Sequence, residues 1–259
     1  MKKNILLLAS VSVILFGSVL FVSANHSWGG YHWARTSNPF TLKLGNNTSG
    51  TWTGLLATAS SDWSQSNVLD TVVVAGSTRP KTCRPTAGRD EICNANYGNT
   101  GWLGVAQIWI NSQNHITQGT VKNNDYYFGS SSYTYNNESE KLHVICQEMG
   151  HTLGLDHQST DGTSLNTCMD YYNNTSNADT LSTHPNQHDY DELAIIYGHV
   201  DSTTTIKSTA STKGNSNVDS ENPSDWGKEV SHDAKNHRST FEKDLGNGDK
   251  IVTLVIWTN

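Results

Sequence analysis

The sequence VICQEMGHTLGLDH occupies residues 144–157 and is the segment from which the fold is predicted. If it is helical, Gln147 and His151 are four residues apart, so they are separated by about 6 Å along the axis and about 40° around it. Both side chains can therefore point at one small object. Glu148 lies beside them on the same helix, three residues before His151.

The end of this stretch brings in a further histidine. On a continuous helix His157 would lie about 9 Å beyond His151 and on the wrong side. Gly154 removes this difficulty, because a glycine in the left-handed conformation ends a helix and turns the chain back. The pattern therefore predicts that Gln147, His151 and His157 converge, with Glu148 close by.

These residues resemble the long zinc motif of the metzincin metallopeptidases, H-E-x-x-H-x-x-G-x-x-H. The sequence matches this motif at Glu148, His151, Gly154 and His157. It departs from the motif at Gln147, which stands where the family has its first histidine.

Two downstream segments extend the resemblance over roughly residues 39–198. The sequence Cys168-Met169-Asp170-Tyr171 resembles the Met-turn beneath the metal of that clan, and Asp189–Gly198 resembles the final helix of matrixin catalytic domains. The resemblance implies an α+β, metzincin-like fold: a twisted mixed β-sheet with an active-site helix and a C-terminal helix. Matrixin-like catalytic domains are the nearest group within the clan.

The resemblance implies a secreted zinc-dependent endopeptidase with one catalytic Zn²⁺. Glu148 would be the general base that takes a proton from the metal-bound water, and Tyr171 would stabilise the oxyanion. Met169 of the Met-turn would be a packing floor. The implied metal ligands are His151, His157 and Gln147.

Gln147 leaves three possibilities open. In the first, its side-chain oxygen coordinates zinc, although Cys, His, Asp and Glu are the common protein ligands. In the second, the two histidines hold zinc with water or another group; His143 lies about 12 Å along the axis from His151, and His184 and His188 reach the cleft only if the chain folds back. In the third, the chain is a catalytically inactive metzincin-scaffold binding protein without a competent zinc site.

The expected partner is an extended polypeptide substrate. It would bind as a strand beside a sheet edge formed near Gly104–Ile110 and Asn114–Phe128. Nucleic acid is excluded as a partner, because 17 basic residues against 24 acidic ones leave no surplus to neutralise phosphates. Ca²⁺ is possible but not supported, because the aspartates match no D-x-D-x-D-G loop.

The N-terminus predicts export. Lys2 and Lys3 precede an apolar run over residues 5–22 and a small-residue cleavage site ending at Ala24. An uncleaved anchor is the alternative. Cleavage would leave a secreted, extracellular chain that is not associated with a membrane.

The four cysteines fit an exported chain, where an even count predicts two disulfides. Local pairing gives Cys83–Cys93 and Cys146–Cys168. Free buried thiols are the alternative, and a four-cysteine zinc site is disfavoured because no CxxC spacing occurs.

Composition along the chain divides it into four parts: a signal peptide (1–24), a metzincin-like catalytic domain (25–198), a polar linker or tail (199–238) and a C-terminal β-hairpin (239–259). Residues 71–75 form a β-branched run, which predicts a strand buried on both faces. Asp189 is the predicted N-cap of the last helix. Isolated histidines are expected to have surface or hydrogen-bonding roles rather than to bind metal: His26, His32 and His115.

Overall fold

The computed structural model of the chain describes residues 26–207, 222–233 and 237–258. The predicted signal peptide, residues 1–24, lies outside the described residues, as does part of the predicted linker. Over the described ranges, no helix has the length and apolar character needed to cross a membrane.

The described residues form a mixed α+β fold with one nine-stranded sheet and four α-helices. The strands are β1 (His32–Trp33), β2 (Phe40–Asn47), β3 (Leu69–Ala75), β4 (Asp90–Ala95), β5 (Trp102–Ile110), β6 (His115–Asn124), β7 (Lys228–Asp233), β8 (Arg238–Gly246) and β9 (Asp249–Trp257). The helices are α1 (Trp52–Trp63), α2 (Asp125–Phe128), α3 (Glu138–Thr152) and α4 (Gln187–Ile196).

The sheet has a parallel half and an antiparallel half. Its order is β3-β2-β4-β6-β5-β9-β8-β7, and β1 pairs with β6 outside this path. The four strands of the first half, β3, β2, β4 and β6, run parallel to one another. Strand β5 runs antiparallel to β6, and β9, β8 and β7 continue the antiparallel half.

Helix α3 packs against α1, β5 and β6 and is almost entirely buried. The Trp63 indole of α1 donates a hydrogen bond to the Cys146 carbonyl, at 3.2 Å. A methyl group on Gly150 would overlap the Met169 sulfur, so this face of α3 admits only glycine at that position. The close contact places the loop around Met169 directly beneath the helix.

The last helix begins three residues earlier than its predicted cap. Asn186 is the N-cap, and its side chain accepts hydrogen bonds from the backbone of His188 and Asp189. The Asp189 carboxylate accepts a hydrogen bond from the Asn186 backbone N–H, which completes a capping box. The prediction of Asp189 as the cap was wrong, because Asn186 occupies the N-cap position and Asp189 is the third residue of the helix.

Strand β3 differs from its prediction as a strand buried on both faces. It lies at the edge of the sheet and pairs with β2. Val72 and Val73 are 40% and 37% exposed. A run of β-branched residues therefore reports strand propensity here rather than two-sided burial.

The C-terminal part of the chain is integrated into the sheet of the main domain, through the pairing of β9 with β5. After α4, Asp201 forms an ion pair with Arg35, with Arg35 Nη1 3.0 Å from Asp201 Oδ2, and Ile206 is buried. Strand β7 lies within the predicted linker 199–238. Strands β8 and β9 form the predicted hairpin, joined through Asn247.

The pairing of β9 changes the expectation for substrate binding. Strand β9 pairs with β5 from Trp102 to Ile110, and β6 lies between β4 and β5. The free sheet edge predicted near Gly104–Ile110 and Asn114–Phe128 is therefore not present in this structure. Residues Val252–Ile256 of β9 are buried, and their packing stabilises the pairing of β9 with β5.

Two disulfides are formed, Cys83–Cys93 and Cys146–Cys168, which are the two pairs favoured by spacing. The second joins α3 to the loop that carries Met169. It therefore connects two of the segments in the predicted zinc motif.

Candidate active site

Helix α3 and the turn after it bring His151 and His157 into contact. Their ring centroids are 4.5 Å apart, edge to face. The helix ends at Thr152, and Gly154 takes a φ of +99°. A side chain on Gly154 would overlap the Tyr31 carbonyl, so glycine is needed both for the turn and for this close approach.

Both imidazoles are held with Nδ1 engaged. His151 Nδ1 lies 2.8 Å from the Leu155 carbonyl, and His157 Nδ1 lies 3.0 Å from Asp156 Oδ1. An acceptor at Nδ1 places the proton there and leaves a lone pair on Nε2. His157 Nε2 is buried without a hydrogen-bond partner among the described residues. Metal-ligating histidines are oriented in this way by their second nitrogen.

Burial keeps these two histidines neutral. Burial lowers the pKa of His151 well below its ordinary value, and a positive charge on the neighbouring His157 lowers the pKa of His151 further. Burial also lowers the pKa of His157, although Asp156 opposes part of that shift. Neutral imidazole is the form that binds a metal ion.

Gln147 presents an unpaired oxygen. Its Nε2 donates to the Asp170 carbonyl at 2.8 Å, while its Oε1 is buried without a partner in the part of the chain described. An unsatisfied buried polar atom costs about 1–3 kcal/mol, so such an atom calls for a ligand or water. The hydrogen bond from Nε2 orients the oxygen of the amide away from Asp170.

Glu148 is a fully buried carboxylate. Neither oxygen has a hydrogen bond of good geometry within the described ranges, although the backbone N–H of Ala106 lies near enough to lower the pKa of Glu148 slightly. Gly104 of β5 lies against it, because a methyl group there would come 2.6 Å from Glu148 Oε1. Burial raises the pKa of Glu148 well above its ordinary value, and the charge of Arg238 opposes part of the rise. Glutamates that transfer protons near neutral pH are tuned in this way.

The loop after the motif supplies the floor and one wall of the site. Met169 is buried beneath α3, and its carbonyl accepts a hydrogen bond from Gln158 N at 2.8 Å. The Tyr171 ring lies 4.2 Å from the His157 ring, centroid to centroid. Burial raises the pKa of Tyr171, so its hydroxyl keeps its proton and can donate a hydrogen bond.

Arg238 is a site residue that sequence reasoning missed. It begins β8, is buried, and places its guanidinium carbon 5.1 Å from the centre of the Tyr171 ring. Its charge acts on Glu148, His151 and His157. No local signal marks it, because it stands alone in a polar stretch 67 residues beyond Tyr171 (238 − 171).

Of the other histidines considered as ligands, His184 and His188 lie elsewhere, whereas His143 lies beside Gln147 at the Asp170 carbonyl. His184 Nδ1 contacts Asp62 Oδ2 at 2.6 Å, and His188 stacks on His26. His143 Nε2 lies 3.3 Å from the Asp170 carbonyl. The histidines that the structure brings together at this site are therefore His151 and His157.

Comparisons with models of known protein families, with curated proteins and with solved structures give no significant match. The chemistry available at the site therefore follows from its own side chains. It has two neutral imidazoles, an unpaired amide oxygen and a carboxylate whose buried charge lacks a neutralising hydrogen bond. Such a set is suited to hold a divalent cation beside a proton acceptor.

Proposed function

We propose that the chain is a metzincin-like, zinc-dependent endopeptidase that acts on extended polypeptides outside the cytosol. One observation carries the proposal. His151 and His157 are buried, neutral and fixed through Nδ1, and they share the end of α3 with the unpaired carboxylate of Glu148. The two disulfides are in keeping with an exported protein.

The donor set fits zinc. His151, His157 and Gln147 would supply two nitrogens and one oxygen, which leaves a fourth position open, as in catalytic rather than structural zinc sites. The buried atoms His157 Nε2 and Gln147 Oε1 have no other partner among the described residues. When bound, zinc would polarise the scissile carbonyl and acidify a bound water.

The protein's own groups would handle the protons. Glu148 accepts one proton from the attacking water and delivers it to the leaving amine, for which its raised pKa is suited. Tyr171 retains its proton and lies beside His157, so its hydroxyl is available to the developing oxyanion. Met169 supports the site from below without touching the substrate.

A second candidate function is that of a binding protein on the same scaffold without turnover. The covered edge of β5 and the buried Arg238 favour it, because both occupy space beside Glu148. In this case the chain would lack a competent zinc site at α3 and would hydrolyse no peptide. Replacing Glu148 would then have no effect on any measured rate.

The test uses the full chain and two readouts. Zinc content after dialysis is measured first, because it does not require access for a substrate. His157→Ala should lose one zinc per chain, whereas His184→Asn, a change at an exposed histidine, should lose none. Equal zinc content in His157→Ala and the wild type would contradict the proposal.

Hydrolysis of a labelled, unfolded polypeptide is the second readout. Glu148→Gln should keep the zinc and lower the rate by about 100-fold to 10,000-fold, the usual contribution of a general base. A chelator should stop the wild-type reaction, and added zinc should restore it. A Glu148→Gln variant that retains full activity would contradict the role given to this residue.

A further inference from the structure

Three histidines and one aspartate from distant parts of the chain meet away from α3. His32 lies in β1, His115 begins β6, and His199 and Asp201 follow α4. Asp201 Oδ1 is 3.5 Å from His32 Nε2, 3.4 Å from His115 Nε2 and 3.7 Å from His199 Nε2. The Nε2 atoms of His32 and His199 are 3.3 Å apart.

These separations are those of atoms around one metal ion. Bonds of about 2.0–2.2 Å in a tetrahedral zinc site place neighbouring ligand atoms about 3.3–3.5 Å apart. Over the described part of the chain, His32, His199 and Asp201 are the one group of histidine, cysteine or carboxylate side chains whose three ligand atoms all lie within 4.8 Å. His115 adds a fourth nitrogen beside Asp201.

The ligand atoms are oriented by contacts on their far sides. His32 Nδ1 lies 2.8 Å from the Gly30 carbonyl, to which it donates, so Nε2 carries a lone pair. Asp201 Oδ2 accepts from the backbone and the guanidinium of Arg35, at 3.1 Å and 3.0 Å. This leaves Oδ1 directed at the imidazoles. Without an ion, a proton on His199 Nε2 joins it to the lone pair of His32 Nε2 at 3.3 Å, and a cation that replaced this proton would meet the same two nitrogens and Asp201 Oδ1.

The backbone holds the same residues in place. Strand β1 pairs with β6 so that His32 stands opposite His115 in register. Asp201 N donates to the Arg35 carbonyl at 2.8 Å, which fixes the segment after α4 against the start of the domain. The side chains of His32, His115 and Asp201 are nearly buried, while that of His199 is 54% exposed.

We propose that His32, His199 and Asp201, together with His115, form a second zinc site that has a structural role. Nitrogen donors with one carboxylate oxygen suit zinc. His115 lies outside the group of three and would close the fourth position by moving toward the ion from its place beside Asp201. The ion would tie the first strand, the start of β6 and the segment after α4 to one point. This site does not depend on the proposed peptidase activity.

The experiment is carried out in a His157→Ala background, so that the site on α3 does not contribute. The full-length His157→Ala chain should retain one zinc and gain thermal stability when zinc is added. Adding His199→Ala should weaken zinc binding by about 100-fold or more. His232→Ala, at another half-exposed histidine, is the matched control and should change nothing.

Two outcomes overturn this site. One is equal zinc affinity in the His157→Ala and His157→Ala/His199→Ala chains. The other is a folded His157→Ala chain that holds no zinc and is not stabilised when zinc is added. Circular dichroism of the zinc-free chains checks folding, and His115→Gln provides a second variant if His199→Ala fails that check.

An independent observation concerns the C-terminal strand. β5 passes Glu148 at Gly104, and Ile256 of β9 is paired with Gly104. A peptide that added to this edge of β5 would run directly past Glu148, as in strand addition generally. In the structure β9 makes those backbone hydrogen bonds itself, and β8 delivers Arg238 to Tyr171.

We infer that β8 and β9 are autoinhibitory, an inference that rests on the proposed function. The intact chain hydrolyses peptides at a low basal rate, and peptides reach Glu148 more readily once β9 leaves β5. Arg238 accompanies the hairpin, so its guanidinium leaves the neighbourhood of Tyr171 in the same step. The hairpin thus acts as an occupant of the substrate position.

The test inserts a specific protease site between Lys207 and Asn222 of the full chain, cuts it after folding and checks the larger piece by circular dichroism, because β9 contributes Val252, Leu254 and Ile256 to the core. Unfolding of that piece would overturn autoinhibition, since β9 would then be a structural part of the domain. Separation of the C-terminal piece should leave the zinc at His157 unchanged and raise peptide hydrolysis at least tenfold. Added peptide covering 249–258 should restore inhibition, and Glu148→Gln in the cut chain should be inactive. A cut, separated and zinc-loaded protein that is no faster than the intact chain would overturn autoinhibition, whereas absence of zinc from His157 would instead overturn the proposed function.

Discussion

The two histidine clusters of this molecule are built in opposite ways. His151 and His157 belong to one helix and its terminal turn, only six residues apart. His32 and Asp201 in the second cluster are 169 residues apart and meet because β1 and the segment after α4 pack together. The first cluster is determined by residues close together in the sequence, while the second forms only after the whole domain has folded.

The clusters also differ in what surrounds their carboxylates. Glu148 at the first is fully buried and has no ion pair or well-formed hydrogen bond among the described residues, and burial raises its pKa. Asp201 at the second is held by Arg35. An unsatisfied carboxylate suits proton transfer, and an anchored one suits a ligand that stays in place. The contrast agrees with the two roles that we propose, an open reactive site at α3 and a structural zinc site at the second cluster.

The disulfide between Cys146 and Cys168 gives the largest expected effect. Replacing both residues by alanine should lower the free energy of unfolding by about 3 kcal/mol, because the unfolded chain loses a constraint. Urea unfolding measures this change. Zinc retention at His151 and His157 should fall as well, since the bridge holds the Met169 loop beneath α3, while the His32 cluster should keep its zinc.

The matched control removes Cys83–Cys93, which closes a shorter loop and lies outside both clusters. Its loss should leave the zinc affinity of both clusters unchanged. Equal effects of the two double replacements on zinc at His157 would show that the bridge on α3 has no special part in the first cluster.

Gln147→His tests the unusual ligand. An imidazole in place of the amide should tighten zinc binding at the first cluster on the order of 100-fold, because histidine is a common zinc ligand and glutamine is not. Competition with a chromophoric chelator measures the affinity. An unchanged affinity would mean that Gln147 is not a ligand, and the second cluster provides the internal reference.

Asp156→Ala tests how the first cluster is oriented. Loss of the carboxylate beside His157 Nδ1 should weaken zinc binding by about 10-fold to 100-fold, the usual effect of removing such a partner. Asp191→Ala on α4 is the control, because that carboxylate accepts from Gln187. If both variants bind zinc as the wild type does, His157 is held by its packing against Tyr171 instead.

Asp90 provides a pH test in the core beneath α3. Burial raises the pKa of Asp90 from 3.8 to about 7, although the Thr152 hydroxyl donates a hydrogen bond to it. The folded chain therefore binds this proton more tightly than the unfolded chain, and stability falls as pH rises from about 4 to 7. Asp90→Asn should remove up to about 1.4 kcal/mol of this loss per pH unit. Parallel unfolding curves for the two proteins across this range would contradict it.

Features set by neighbouring residues were accessible from the sequence. The helix over α3, its end at Gly154 and the return of His157 all follow from spacing and from the conformational freedom of one glycine. The capping of α4 was misplaced by three residues because Asn186 and Asp189 both have side chains suited to caps. Only the geometry of the turn decides between them.

Features set by long-range packing were not accessible. The edge position of β3 depends on which strands pair, and a β-branched run is compatible with either an edge or a centre. Arg238 and the His32 cluster carry no periodic or spacing signal, since their partners lie far along the chain. The pairing of β9 with β5 could not be predicted for the same reason, because a hairpin pattern does not indicate which strand of the sheet the hairpin pairs with.

The central claim is that His151, His157 and Gln147 bind zinc beside Glu148. Anomalous diffraction from crystals of the full chain grown with zinc, recorded above the zinc absorption edge, tests it most directly. We expect a strong anomalous peak between the Nε2 atoms of His151 and His157 and next to Gln147 Oε1. A map with no peak there, even if one stands between His32 and His199, would contradict it.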